Sequence, residues 1–361
     1  MHTPHVRPAS TVGPEMYEPT ARLGLLAEGK FHPRSAKTAF GILRHAPNPV
    51  VAVIDHTQAG KNARDLSGIA HRDVPVVATV EEAITLGMEV MVIGIAPRGG
   101  LLPESWRQMI ITCLSNGVDV AAGLHTFLND DPTFAEIAER HGRRMYDVRR
   151  PPHGIGVATG ACRDLAGKRI VLTVGTDCAV GKKHVAIAVA EELRRRGVRA
   201  TWVPTGQTGI FIAGWGIAID NVLSDFTAGA AELLVLEAAK EADVILVEGQ
   251  GALLHPGYSG VTLSLIHGAM PTDFLFCHAS SPVAIEPEYG ITPPSMTEMI
   301  ALHEHVVRHT RPAKVRGIAV NTSTAGDAEA RAQCDALAAE TRLPVTDVIR
   351  YGAGPLAEAL M

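Results

Sequence analysis

The sequence predicts an α/β protein of two parallel-sheet domains, divided near residue 150, and three observations carry that prediction. Short apolar runs rich in Val and Ile alternate with helical patterns along the whole chain, the pattern of parallel strands joined by crossover helices. A glycine-rich loop follows one of these strands and opens a helix, the context in which such a loop binds phosphate. The chain has 361 residues, 46% hydrophobic and 20% charged, enough apolar material for two or three cores and too much for a disordered chain.

The elements follow in order. Val50–Ile54 is a strand ending at Asp55. Val74–Ala78 is a second, leading into Thr79-Val80-Glu81-Glu82-Ala83, a capping-type helix start with acids in the first turn. Val90–Gly94 is a third and runs into the loop Ile95–Gly100. A helix is expected over Ser105–Asn116, closed by Gly117, and a strand over Val118–Ala122. This first half, residues 1–150, reads as a Rossmann-like sheet. Arg149-Arg150-Pro151-Pro152-His153-Gly154 is the linker, because its prolines stop the preceding pattern. A second α/β series fills residues 151–361. Its strands are expected at Lys168–Val174, Ala200–Val203, Val244–Val247, Phe274–Cys277, Gly317–Val320 and Pro344–Ile349, with helices over Lys183–Arg196 and 327–341.

Composition excludes several functions. Aromatic residues are 4% of the chain and the net charge is −5, so neither base-stacking platforms for nucleic-acid strands nor a basic footprint for a polyanion is expected. Five scattered cysteines read as reduced thiols, with no metal-ligand spacing and so no metal site. The first twenty residues hold no apolar run, so no signal peptide is expected there. The apolar stretches are strand-sized, which excludes a membrane span. The expectation is a cytoplasmic protein acting on a small molecule, and a homo-oligomer.

The sharpest motif is Gly175-Thr176-Asp177-Cys178-Ala179-Val180-Gly181-Lys182-Lys183. Its glycines let backbone N–H groups curl round a phosphate, the helix N-terminus adds about half a positive charge, and Lys182 adds a full one. The residue after the loop lysine, normally the Ser or Thr that ligates Mg²⁺, is Lys183, so the loop is expected to hold a phosphate without a metal. Val244–Val247 delivers Glu248 to its carboxyl end, where open α/β sheets bind ligands. Glu248 can accept a proton, and His255, in a turn-rich loop close behind, is a second candidate proton carrier. Pro204–Gly209 offers the Gln207 amide and the Thr208 hydroxyl to a polar ligand, and Arg98 after the third strand can pair with a carboxylate. Asp220, Asp225 and Glu232 read equally as helix caps or site residues. Thr38 and Asp55 read as a cap or surface groups, and Cys178 as a small loop-filling side chain rather than a nucleophile.

The loop, with Gly-Thr-Asp at its start and Val-Gly-Lys at its end, resembles that of dethiobiotin synthetase. Together with Pro204–Gly209, Ile219–Glu232 and Val247–Gly260 it resembles a family of two-domain proteins, some of them D-glutamate N-acetyltransferases of the DgcN type. That resemblance spans nearly the whole chain. It implies a Rossmann-like domain followed by a P-loop NTPase-like domain, and transfer of acetyl from acetyl-CoA to a small acidic amino acid, D-glutamate first. The loop would then hold coenzyme A, and Arg98 and Lys183 the acceptor's carboxylates. The family often has Met-Thr where this chain has Lys183-His184. Two other functions stay open: an Mg-ATP-dependent kinase or ligase on a carboxylate, and a non-catalytic nucleotide sensor.

Overall fold

The structure is a computed structural model that describes residues 12–32, 35–69, 71–95, 97, 100–280 and 289–361. The chain forms two compact units, one made of Met1–Pro152 with Gly206–Asn221 and the other of His153–Thr205 with Val222–Met361.

The first unit holds strands β1 (Leu23–Leu26), β2 (Val50–Ile54), β3 (Val76–Val77), β4 (Val90–Ile93), β5 (Asp119–Ala122) and β6 (Met145–Asp147). Their order is β3-β2-β1-β4-β5-β6, every pair parallel, which is the Rossmann order expected of this half. The central strand β1 has no counterpart among the expected strands. Leu23-Gly24-Leu25-Leu26 is buried along its length and carries no β-branched residue, so neither alternation nor composition marks it. Gly24 is required there because the Met88 thioether fills the space of a side chain. The helix Lys37–His45 is likewise new. Asp55 is a structural acid: fully buried, it accepts N–H groups from Gly29, Phe31 and Thr57.

The first unit also receives a helix from the second half of the sequence. Gly206 is the N-cap of Gln207–Ala213, so the segment expected to be a ligand-clasping loop turns helical at Gln207. The physical reason is the apolar run Ile210-Phe211-Ile212, which must be buried and is. Gly209 within the helix and Gly214 just past it weakened the local signal. Tyr17 donates its hydroxyl to the Phe211 carbonyl at 3.4 Å.

The second unit holds β7 (Arg169–Gly175), β8 (Ala200–Val203), β9 (Val244–Val247), β10 (Asp273–Ala279), β11 (Lys314–Asn321) and β12 (Val345–Thr346), in the parallel order β12-β11-β10-β7-β9-β8. From central β7 the chain goes first to the β8–β9 side and later to the β10–β12 side. The carboxyl end of β7 is therefore a topological switch point, where such sheets bind ligands. The last strand is shorter than Pro344–Ile349. Asp347 accepts the N–H groups of Thr322, Ile349 and Arg350 and turns the chain away after Thr346.

The acids of Ile219–Glu232 take different places. Asp220 pairs with Arg149 inside the first unit, and Asp225 lies in the 3₁₀ turn Ser224–Phe226. Glu232, on the helix Thr227–Ala239, accepts the N–H groups of Thr159, Gly160 and Ala161 at 2.9, 2.6 and 2.8 Å and the Thr159 hydroxyl at 2.9 Å. Burial works against its charged form, but these donors outweigh burial and hold the carboxyl below its ordinary value. A depressed acid stabilises the fold above its unfolded pKa, and that contribution is lost as pH falls through the folded value. Glu232→Gln is expected to cost about 1–3 kcal/mol of unfolding free energy at pH 7, with the loss fading in acid. Urea titrations at pH 7 and pH 4 check this, and a variant as stable as wild type at both would show the cap to be dispensable. All five cysteines are free thiols, and no helix among the described residues is long and apolar enough to cross a membrane.

Candidate functional site

Strand β7 ends at Gly175, which pairs with Cys277 on β10. A side chain at Gly175 would stand 2.7 Å from the Cys277 carbonyl and 2.8 Å from Val180, so the loop can leave the sheet here only from glycine. Two left-handed residues, Ala179 at φ 57° and Gly181 at φ 111°, then fold the loop back on itself. Left-handed residues of this kind are the backbone feature of an anion nest, and in this loop the Cys178 N–H donates to the Asp177 carboxylate at 2.6 Å. The helix Lys182–Arg195 begins immediately after. Its N-cap is Gly181, which has no side chain to cap the first turn, so the dipole and the first N–H groups face the nest.

Lys182 is buried, and its Nζ donates to the Asp177 carbonyl at 2.7 Å. Burial pushes its ammonium below the usual lysine range, while Cys178, Cys277, Asp177 and Glu248 around it work in the opposite direction. Burial pushes the Cys277 thiol up to about 12, which leaves it an inert core group.

The neighbouring strands bring the flanking groups by register. On β9, Val247 pairs with Leu172, so Glu248 emerges beside the start of the loop. Glu248 is 4% exposed and accepts the Thr205 N–H at 3.2 Å. Its main-chain carbonyl accepts the Thr205 hydroxyl at 2.6 Å, and Gly249 N–H donates to Thr173 Oγ1 at 2.9 Å. On the other side, His278 follows Cys277 and places Nδ1 3.2 Å from the Thr176 hydroxyl. Burial pushes His278 down, against Glu340, which favours the neutral ring.

His255 is completely buried. Its Nδ1 lies 3.0 Å from the Gly257 N–H. A backbone N–H can only donate, so Nδ1 is the acceptor and the neutral ring carries its proton on Nε2. In this tautomer Nδ1 is occupied by the Gly257 N–H and Nε2 can offer a hydrogen bond. One oxygen of Asp177, the Cys178 sulfur and a ring nitrogen of His255 all lie within 4.8 Å of one another. That donor set suits a soft metal ion, but a metal needs a ring nitrogen with a free lone pair, and this hydrogen-bonding pattern offers none. The Mg²⁺ position of a nucleotide-hydrolysing loop also fails to fit, because an ammonium, Lys183, stands where the hydroxyl ligand belongs.

The second unit thus brings together Gly175, Thr176, Asp177, Cys178, Ala179, Val180, Gly181, Lys182 and Lys183 with Glu248 and His255. Gln207 and Thr208 lie in the first unit. There the Gln207 side chain occupies the space in front of Gly123, and the Thr208 hydroxyl is 2.9 Å from that of Thr38. Arg98 lies outside the described residues. Thr205, within the expected segment Pro204–Gly209, holds Glu248, and two residues not singled out stand beside the site, His278 at the loop and Tyr289 against His255. Only His278 left a signal, as the polar residue that follows an apolar strand run.

A Rossmann-like sheet joined to a sheet with a phosphate loop at its switch point defines a two-domain class of P-loop protein. Residues 56–151 match the family model described as domain of unknown function (DUF1611_N) Rossmann-like domain, and residues 156–357 match domain of unknown function (DUF1611_C) P-loop domain. A relative from Tritonibacter scottomollicae, named D-glutamate N-acetyltransferase, is 38% identical over 90% of this chain and 94% of its own. A second of that name, from a Pseudoalteromonas species, is 35% identical over 75% of this chain and 81% of its own. The crystal structure of a DUF1611 family protein from Anabaena variabilis matches with a TM-score of 0.91 at 38% identity, over 95% of this chain and 99% of that one. The chain belongs to the DUF1611 family, and it is an enzyme of the N-acetyltransferase class.

Proposed function

We propose that this enzyme moves the acetyl group of acetyl-CoA to the α-amino group of D-glutamate, giving N-acetyl-D-glutamate and coenzyme A. Its support is the anion nest Gly175–Lys183 in a chain whose near full-length relatives are named D-glutamate N-acetyltransferase. The nest and Lys182 take phosphates of the donor, and Lys183 serves a carboxylate of the acceptor.

The amine nitrogen attacks the thioester carbonyl carbon, the carbon–sulfur bond breaks, and the thiolate of coenzyme A leaves. Before or during attack the ammonium gives up a proton, and Glu248 is the group that takes it, since the Nδ1 acceptor of His255 is already occupied by the Gly257 N–H.

Thiol release from acetyl-CoA, followed with a chromogenic disulfide, is expected to require D-glutamate and to proceed at the same rate with a chelator and without ATP. Failure with D-glutamate, L-glutamate and aspartate alike, together with Mg²⁺-dependent ATP turnover on another carboxylate, would overturn the proposal in favour of a kinase or ligase.

A further inference from the structure

Aromatic side chains are scarce in this protein and almost all of them are covered. Of three Trp, five Tyr and eight Phe, only Tyr258 and Tyr289 are exposed, at 51% and 47%. These two are far apart in sequence, yet both rest on the same buried ring. The Tyr258 ring lies 4.6 Å from His255, centroid to centroid, at 33°, and the Tyr289 ring lies 5.2 Å away at 73°. His255 in turn has a ring nitrogen within 4.8 Å of the Asp177 carboxylate and the Cys178 sulfur, inside the phosphate loop. One ring thus separates the two exposed aromatics from the anion nest.

The platform is built rather than incidental. Tyr258 is the N-cap of the helix Ser259–Ala269, and its N–H donates to the His255 carbonyl at 3.2 Å. The loop beneath is closed by the Ala252 carbonyl accepting the His255 N–H at 3.0 Å. Gly251, at φ 65°, lies so close under the Tyr258 carbonyl that a side chain there would collide with it. The Tyr289 hydroxyl lies beside the backbone of Gly257, 3.6 Å from where a side chain on that glycine would start. Scattered exposed aliphatic residues need no explanation, but two exposed tyrosines converging on the mouth of an anion site do. An aromatic ring fixed in place loses little entropy when a flat ligand covers it.

We infer that Tyr258 and Tyr289 form a stacking platform for the purine base of the donor, the adenine of acetyl-CoA, while the nest holds its phosphates. This rests on the donor reading of the loop. A nucleotide with a phosphate on the loop carries its base one sugar away, and the platform adjoins the loop through the His255 ring. Stacking of a base on an aromatic ring is tolerant of edge chemistry and uses the ring face alone, so the hydroxyls are not required for it.

The full-length enzyme tests this with three ligands: acetyl-CoA, S-acetylpantetheine, which carries the thioester without the nucleotide, and adenosine 3′,5′-bisphosphate, which carries the nucleotide alone. Tyr258→Ala and Tyr289→Ala are each expected to weaken calorimetric binding of the bisphosphate about tenfold and to raise the KM for acetyl-CoA by a similar factor. The kcat at saturation and the kinetics with S-acetylpantetheine should stay at wild-type values, and Tyr258→Phe should retain affinity. No binding of the bisphosphate to wild type, or unchanged binding in both Ala variants, overturns the platform. Equal losses with S-acetylpantetheine, or a rise in the KM for the amino acid alone, overturn it too, because the rings would then face the acceptor or support the fold. Binding is read without turnover. An enzyme that binds the bisphosphate through these tyrosines but transfers no acetyl group would sink the proposed reaction and leave the platform standing.

Discussion

Glu248→Gln is expected to lower kcat by about 10²–10⁴-fold, the contribution of a well-placed general base. The α-ammonium of a free amino acid has a pKa of roughly 9, above the α-amino values of peptides, so at neutral pH little of the acceptor is nucleophilic until a base takes its proton. Gln has nearly the same shape, and its amide oxygen can still accept the Thr205 N–H, so the strand end and the loop are kept. What is lost is the capacity to hold a proton. A base removed in this way lowers kcat and kcat/KM together and leaves the KM for acetyl-CoA near its wild-type value. The alternative is specific. Glu248 is one of the groups that favour the charged form of the buried Lys182. If that is its only task, the variant keeps kcat and loses donor affinity. Steady-state kinetics between pH 7 and pH 9 separate the two results, and a retained kcat removes Glu248 from the proton path.

The parts of this site that were legible in the sequence are those set by local chemistry. Val244–Val247 and Ala200–Val203 are short β-branched runs with polar boundaries, and they form strands over those same residues. The loop Gly175–Lys183 declares itself because glycines at fixed offsets, an apolar strand before and a helix after all have one physical cause. What was not legible depends on burial and on distant partners. Leu23–Leu26 is the central strand of its sheet yet carries a glycine and three leucines, since contact on both faces rather than alternation holds it there. Gln207–Ala213 reads as loop because of its glycines, and it is helical because Ile210, Phe211 and Ile212 find a core in the first unit. The role of His255 could not be chosen from composition. One hydrogen bond from Gly257 decides which nitrogen carries the proton, and that bond exists only once the turn is formed. Tyr289 is the clearest case, since nothing near it in the sequence points to a ring thirty-odd residues earlier.

Lys182→Ala is expected to weaken acetyl-CoA binding by about 1.5–3 kcal/mol, a factor of about 10 to 150 in Kd, the range for a hydrogen bond to a charged group. Lys182 is the buried cation of the loop, held by the Asp177 carbonyl at 2.7 Å and surrounded by Asp177, Glu248, Cys178 and Cys277. Its removal does two things of opposite sign. A buried charge no longer has to be desolvated, which favours the ligand-free protein. The carboxylates of Asp177 and Glu248 lose their cation, so the nest now faces a phosphate with two negative neighbours and only its N–H groups and helix dipole to attract it. The ligand-free variant should therefore melt close to wild type while the upward shift in Tm on adding acetyl-CoA largely disappears. Lys182→Met keeps most of the apolar stem packed against Gly249 and isolates the charge, and it should bind as poorly as the Ala variant. Arg is not a rescue, because a planar guanidinium is larger than the ammonium it would replace in a buried site. Mg²⁺ should leave every one of these affinities unchanged, since Lys183 occupies the ligand position of the cation. Unchanged acetyl-CoA affinity in both variants would remove the loop from the donor site, and tight ATP binding that appears only with Mg²⁺ would assign the loop to nucleotide chemistry instead.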